Sequence, residues 1–252
     1  MITLLGHGYI GREIASRMEA KDIPFNWNTH DWTKGWVPDG PIINAAGYTG
    51  FPNVDACEVN RAECLSGNVL WPLQVEERSK GYPVVHISSG CVYNGYKDGG
   101  WLETDEPNFT GSFYSRCKVL AQSMLRLENS YILRVRMPFG KEEHQKNYLT
   151  KLRRYEKLID VRNSLSCIED VAEAAIHFAL NQPTPGIYNC VNTGEVTTRK
   201  VADFLGLQKD WFTMEEFRAS IKAPRSNCVL NTDKMQAVYK MRDVHEALSC
   251  AL

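Results

Sequence analysis

Short apolar runs alternate along the chain with longer stretches whose apolar positions recur every three or four residues. The runs are ITLL (2–5), PFNW (24–27), PIINAA (41–46), PVVHIS (83–88) and YILRVR (131–136), and each reads as a strand. Ile10, Ile14 and Met18 recur every four residues and predict an amphipathic helix directly after the first run. Pro72 falls in the first turn of another predicted helix, where its missing N–H costs nothing. Further on, GIYNCVN (186–192) reads as a later strand, and Thr213 with Glu216 forms a capping box for a short helix. Strand and helix in alternation predict the α/β class: a Rossmann-like, doubly wound parallel sheet with a small mixed lobe in the C-terminal third.

Length and composition narrow this picture. A chain of 252 residues buries one large core without needing a second. Its 29 Lys plus Arg and 30 Asp plus Glu nearly cancel, so no field of one sign draws in a polyanion and nucleic acid is not an expected partner. No basic leader and no run of 18 apolar residues is present, so no membrane partner is expected and a cytoplasmic location is. The eight cysteines are scattered without a CxxC pair, which points to reduced thiols. No metal site of cysteine or HExxH type can be written.

Candidate chemistry begins at LLGHGYIGREI, where Gly6, Gly8 and Gly11 follow the first strand and precede the first helix. That is the G-x-G-x-x-G context in which glycines let the backbone approach a pyrophosphate and the helix N-terminus supplies N–H donors. A tight strand-to-helix turn with no ligand is the other reading. The candidate cofactor contacts are Gly6, Gly8, Tyr9, Ile10 and Gly11, with Asn28 at the end of the second strand. No acid follows that strand until Asp31, so nothing repels a 2′-phosphate, and Arg12 and Lys34 are candidate cations for it. NADPH is the expected cofactor. Ala45, Ala46 and Gly47 in NAAG form a small-residue floor for the adenosine side.

SFYSRCKVLAQSML contains Tyr114 and Lys118, four apart and on one helix face. An ammonium beside the phenol favours the phenolate, and a shift of roughly three units represents about 4 kcal/mol. Ser89, at the C-terminal end of the fourth strand, is placed to hydrogen-bond a carbonyl that Tyr114 protonates. A Y-x-x-x-K spacing alone is usually a surface pair. Glycine turn, strand-end Ser-Ser and Y-x-x-x-K in this order are much less often accidental.

With these residues in place, the chain resembles the extended short-chain dehydrogenase/reductases. WLETDEPN (101–108) ahead of the Y-x-x-x-K is similar to the dTDP-4-dehydrorhamnose reductases. NAAGYTGFPNVDACE (44–58), PNFTGSFYSRCK (107–118), LRVRMP (133–138), NYLTKLRRYEKLIDVRNS (147–164) and APRSN (223–227) resemble the plant-type nucleotide-rhamnose synthase/epimerase-reductases. Leu5 stands where that family usually has the first glycine of its loop. The resemblance implies an NADP-binding core mainly in 1–160 and a substrate-binding lobe mainly in 161–252, with exchanged segments. It also implies a homodimer, and a nucleotide 4-keto-6-deoxy-D-glucose as substrate. That sugar is inverted at C3 and C5 and reduced at C4 by NADPH to the L-rhamnose nucleotide, and the plant-type resemblance implies the UDP-linked form.

Inversion needs proton removal on one sugar face and return on the other, so a reductase triad is not enough. Cys91 lies two residues beyond Ser89, and an extended strand turns both side chains to one side. In the resembled epimerase-reductases a cysteine here acts in epimerisation, together with a lysine matching Lys151 in NYLTK. A buried, inert cysteine is the competing reading. Asn147, Asn163 and Arg225 are candidate substrate contacts beside Ser89 and Cys91, with Arg225 set against a diphosphate or a structural ion pair. His144 and Arg162 are weaker candidates, and Trp32, Trp36 and Trp101 read as core or lid residues. Alternatives to the bifunctional enzyme are a reductase alone and a non-catalytic NADP-binding regulator.

Overall fold

In the strands, neighbouring residues face opposite ways, and both faces are apolar. Ile2, Leu4, Ile43 and Val85 belong to one core and Leu5, Ile42 and Val84 to another. Such strands are stable only with helices on both sides. The computed structural model, which describes residues 1–28 and 36–251, has that three-layer arrangement. Strands β1 (Ile2–Leu5), β2 (Phe25–Asn28), β3 (Ile42–Asn44), β4 (Val84–Ser89), β5 (Ser130–Val135) and β6 (Gly186–Asn189) form one parallel sheet in the order β6-β5-β4-β3-β1-β2. Helices α1 (Tyr9–Ala20) and α5 (Ile168–Asn181) cover one face. The other is covered by α2 (Trp71–Arg78), through Trp71 and Val75, and by α3 (Phe113–Met124). β2 and β3 lie on either side of β1, so the crevice of this sheet opens beyond β1 and β3.

The expected stripe of α1 is present: Ile14 and Met18 are fully buried and Ile10 partly so. Pro72 falls in the first turn of α2 as expected, but α2 does not start from a free end: it continues a helical run made of Arg61–Leu65 and a π-helical turn at Ser66–Leu70. Just ahead of the proline, the Trp71 N–H bonds Ser66 O, five residues back. This wider turn changes the hydrogen-bond register where the proline has no N–H to give.

The later strand is shorter than its apolar run. β6 ends at Asn189 because the chain then turns away, and Asn192 N bonds Leu165 O. Residues 168–189 therefore belong to the main sheet and its helical cover. The lobe is built from two small ladders, Lys157–Ile159 with Asp210–Phe212 and Arg162–Asn163 with Val196–Thr197. It has its own core, which includes Leu149, Leu158, Val201 and Leu248. The predicted capping box is formed by Thr213 and Glu216. Trp36 is core beside Trp71, and Trp101 stacks on Tyr93 at 5.0 Å. Asp31, Trp32 and Lys34 lie outside the described residues. Among the described residues no helix is long and apolar enough to cross a membrane, and no cluster of His, Cys, Asp and Glu is placed to hold a metal ion.

Candidate active site

The glycine turn is tight where it must be and open where a ligand would approach. Gly6 has φ +99°, and a Cβ there would lie 2.6 Å from Ala46 N. A Cβ on Gly11 would lie 2.2 Å from Gly6 O, so the first turn of α1 packs directly on the loop. A Cβ on Gly8 would meet nothing within 4 Å. Gly8 is the N-cap of α1, no side chain caps it, and Tyr9 and Ile10 follow as the first helical residues. Uncapped N–H groups at an open helix start suit a pyrophosphate. Gly6 N bonds Asn28 O, and Trp27 Nε1 donates to Gly6 O at 3.1 Å, which ties the turn to β2. Arg12 stands exposed beside it, with Nε on His7 O.

Beyond β3, Ala45 and Ala46 lie against the turn, and a Cβ on Gly47 would sit 3.4 Å from Asn68 Oδ1 and 3.8 Å from Lys118 Nζ. The small-residue floor therefore runs from the glycine turn to the candidate catalytic lysine. Asn68, inside the π-helical turn, is completely buried and holds the floor through Tyr48: its Nδ2 donates to Tyr48 O at 2.6 Å. Tyr9 stacks on His144 at 4.5 Å, which ties the turn to the loop before α4 (Tyr148–Arg154).

Ser89, Tyr114 and Lys118 come together at the C-terminal end of β4 and are respectively 5%, 8% and 6% exposed. Ser112 caps α3 by accepting from Ser115 N, which fixes the turn that carries Tyr114. Burial raises the Tyr114 phenol far above its ordinary value. The Cys91 sulfur adds to this, and a hydrogen bond with Ser89 opposes it. Burial thus keeps the phenol in its neutral form, with the Lys118 ammonium 5.7 Å from the ring centre. Burial lowers Lys118 to about 8, opposed by the thiols of Cys64, Cys117, Cys91 and Cys57.

Cys91 is half-buried and packs against the cluster that contains Tyr114. Its backbone N–H donates to Ser89 Oγ at 3.1 Å, and its sulfur accepts from Arg136 Nη1 at 3.6 Å. On α4, burial and the charges of Lys146 and Arg225 lower Lys151 to about 8, with Cys91 opposing. Cys91 thus stands among the groups that surround both Tyr114 and Lys151.

The remaining predicted contacts are committed to the protein itself. Asn147 caps α4, accepting from Leu149 N at 2.9 Å and donating to Gly140 O at 2.7 Å, so it positions the helix of Lys151. Asn163 is 2% exposed. It accepts from Arg136 and Cys228 N, and donates to Asn227 Oδ1 at 3.1 Å. Arg225 forms the ion pair, donating to Asp55 Oδ1 at 2.9 Å and to Ala223 O. Arg162 pairs with Glu195 and stacks on Tyr96. His144 accepts from Lys146 N at 3.0 Å, and burial lowers its imidazole.

Two further residues had not been singled out. Arg136, 1% exposed, is cradled by Ser226, Asn163 and Gly90 O and presents Nη1 to Cys91. An arginine in the apolar run YILRVR was the readable signal for it. Lys146 donates to Thr49 Oγ1 and Gly50 O, which pins the loop after β3 to the approach to α4. Nothing in its own stretch of sequence announces that.

A parallel sheet wound on both faces, with a glycine turn at its crevice, defines a Rossmann-like α/β protein. The RmlD substrate binding domain matches residues 7–251, and the chain belongs to that family. A bifunctional dTDP-4-dehydrorhamnose 3,5-epimerase/dTDP-4-dehydrorhamnose reductase of Arabidopsis thaliana is 36% identical over 84% of this chain and 76% of its own length. Trifunctional relatives from the same plant are longer, and the match to one of them spans 33% of its length. Among solved structures, the L780 UDP-rhamnose synthase of Acanthamoeba polyphaga mimivirus superposes with a TM-score of 0.90. It is 23% identical, over 100% of this chain and 99% of that one. The dTDP-4-dehydrorhamnose reductase of Bacillus anthracis, in complex with NADP, gives a TM-score of 0.77 at 18% identity, over 98% and 96% of the two chains.

Proposed function

We propose that the chain is an NADPH-dependent nucleotide-sugar enzyme that reduces a UDP- or dTDP-linked 4-dehydrorhamnose, and that it also carries the preceding 3,5-epimerisation of the 4-keto-6-deoxy-D-glucose nucleotide. The UDP-linked sugar is the favoured substrate. The observation that carries the dual reading is the place of Cys91, a half-buried thiol packed against the cluster of Tyr114 with its backbone N–H on Ser89 Oγ.

The glycine turn, Asn28 and the Ala45–Gly47 floor hold the dinucleotide in this reading, with Arg12 beside the 2′-phosphate. When bound, NADPH supplies the hydride for C4. Tyr114, neutral and hydrogen-bonded to Ser89, donates to the C4 oxygen, and Ser89 shares that oxygen. The same polarisation acidifies C3 and C5, because the charge left on deprotonation is delocalised onto the oxygen that Tyr114 and Ser89 grip. Lys118 places its ammonium at the end of the floor. Cys91 and Lys151 exchange protons at the two carbons, Lys151 being near enough to neutrality to do either job. Pairing of two copies through α3 belongs to the same proposal. Leu120 and Met124, four apart on its outer side, are 45% and 50% exposed.

The second reading, a reductase without epimerisation, treats Cys91 as packing for the cluster around Tyr114. Incubation with the 4-keto-6-deoxyglucose nucleotide in deuterated water, without NADPH, separates the two. The dual enzyme incorporates deuterium at C3 and C5, and Cys91→Ser stops that while sparing reduction of an already epimerised ketone. Absence of deuterium in the unaltered protein leaves the reductase alone, and equal loss of both activities in Cys91→Ser refutes the division of labour.

A further inference from the structure

Three thiols that the proposed reaction does not use lie directly behind Lys118. Cys57, Cys64 and Cys117 are 0%, 0% and 2% exposed and share one apolar cluster with Tyr114. Cys64 is in the Arg61–Leu65 helical turn and Cys117 on α3, immediately before Lys118. Their sulfurs are 3.9 Å apart. Asn68 Nδ2, which also holds Tyr48 and so the floor of the site, donates to Cys64 Sγ at 3.4 Å.

We infer that Cys64 and Cys117 form a peroxide-oxidisable pair whose disulfide disables the adjoining catalytic lysine. The pair is polarised for this. Asn68 Nδ2, donating to the Cys64 sulfur at 3.4 Å, favours its ionised form, and Cys117 lies in direct contact with that sulfur. The readily ionised sulfur is the one that attacks a peroxide. Cys64 sulfur attacks one peroxide oxygen, the O–O bond breaks, and hydroxide leaves, giving a sulfenic acid. Cys117 sulfur then attacks Cys64 sulfur and displaces the second oxygen. The two thiol protons end on the two hydroxides, so two thiols and one peroxide become one disulfide and two waters.

The bond has a mechanical consequence. A disulfide holds its sulfurs about 2.0 Å apart, so closing a 3.9 Å gap draws the turn of α3 that carries Lys118 toward the Arg61–Leu65 turn. Lys118 Nζ would leave its place at the end of the floor. Displacement of an ångström in a catalytic group costs roughly 10²-fold in rate.

The test treats the whole protein with hydrogen peroxide. Peptide mass mapping follows the cysteines, and NADPH binding and ketone reduction are measured before and after a thiol reductant. A Cys64–Cys117 peptide that has lost two hydrogens, appearing together with a roughly 10²-fold loss of reduction that the reductant reverses, supports the pair. Cys64→Ser and Cys117→Ala should each keep activity through the same treatment. Loss of activity tracking oxidation of Cys91, with Cys64 and Cys117 still thiols, overturns the inference. So does a Cys57–Cys64 bridge in its place, or a Cys64–Cys117 bridge that leaves both NADPH binding and reduction unchanged. Only the reduction arm rests on the proposed reaction; the mapping and the NADPH arm stand without it.

Discussion

Lys118 on α3 and Lys151 on α4 are both brought to about 8, but by different surroundings. Around Lys118 burial acts alone, and every other contribution, all from thiols, opposes it. Around Lys151, which is less buried, the cations Lys146 and Arg225 push the same way as burial, and only Cys91 opposes. The first lysine cannot be retuned without opening the core. The second can be retuned by removing one neighbouring charge. In the proposed reaction this matches their duties: a fixed ammonium beside the phenol on one side, and a proton exchanger on the other.

The comparison breaks most completely at the acid that both halves share. Tyr114→Phe removes the buried donor to the C4 oxygen, and NADPH oxidation with the 4-keto substrate should fall by about 10²- to 10⁴-fold. Deuterium incorporation should fall with it, because exchange at C3 and C5 depends on the same polarised carbonyl. Exchange that persisted at full rate would mean that the Cys91 side works without the Tyr114 side.

A smaller change sharpens it. As a base Lys151 acts unprotonated, so exchange should rise with pH through a midpoint near 8. Lys146→Met deletes a like charge, which raises the Lys151 pKa and moves that midpoint to higher pH. At neutral pH fewer molecules then carry the free amine, and exchange drops severalfold. Reduction, which relies on Lys118, should keep its pH dependence, since Lys146 is not among the groups acting on that lysine. A common shift of both profiles would show the two lysines to be one coupled system. The depressed pKa values also fix the sign for stability. Between about 8 and the ordinary lysine range the unfolded chain binds more protons than the native one, so stability contributed by these two groups rises with pH across that window.

The two sides also differed in how far sequence could reach them. Gly6, Gly8, Gly11, Ser89, Tyr114 and Lys118 each sit in a local pattern, a turn, a strand end or one helix face, and local patterns are what spacing reveals. Six strands were legible for the same reason, with ends misplaced where the chain leaves the ladder, as at Cys190–Asn192. The Cys91 side is held by pairs far apart in the chain: Arg136 with Ser226, Lys146 with Thr49, Arg225 with Asp55. No periodicity encodes such contacts, because topology creates them. Thus the Asp55 partner of Arg225 could not be named from sequence. Pro72 marked the first turn of α2, but the π-helical turn just before it is invisible to a 3.6-residue period.

The smallest expected effect lies in the C-terminal lobe and serves as the reference for both. The Met214–Ser220 helix buries none of its residues, so its start depends on local bonds. Thr213 Oγ1 accepts from Glu216 N at 3.2 Å, and Glu216 Oε2 accepts from Thr213 N at 2.8 Å and from Lys157 Nζ at 3.0 Å. Thr213→Ala removes the first of these and should cost about 1 kcal/mol, or a Tm lower by about 2–4 °C for a chain of this size. Because neither Lys118 nor Lys151 touches this helix, NADPH oxidation and deuterium exchange below the transition should be unchanged. If either fell along with Tm, the outer lobe would be setting the geometry of the site, and the contrast between a core-held and a charge-held lysine would no longer describe where its control lies.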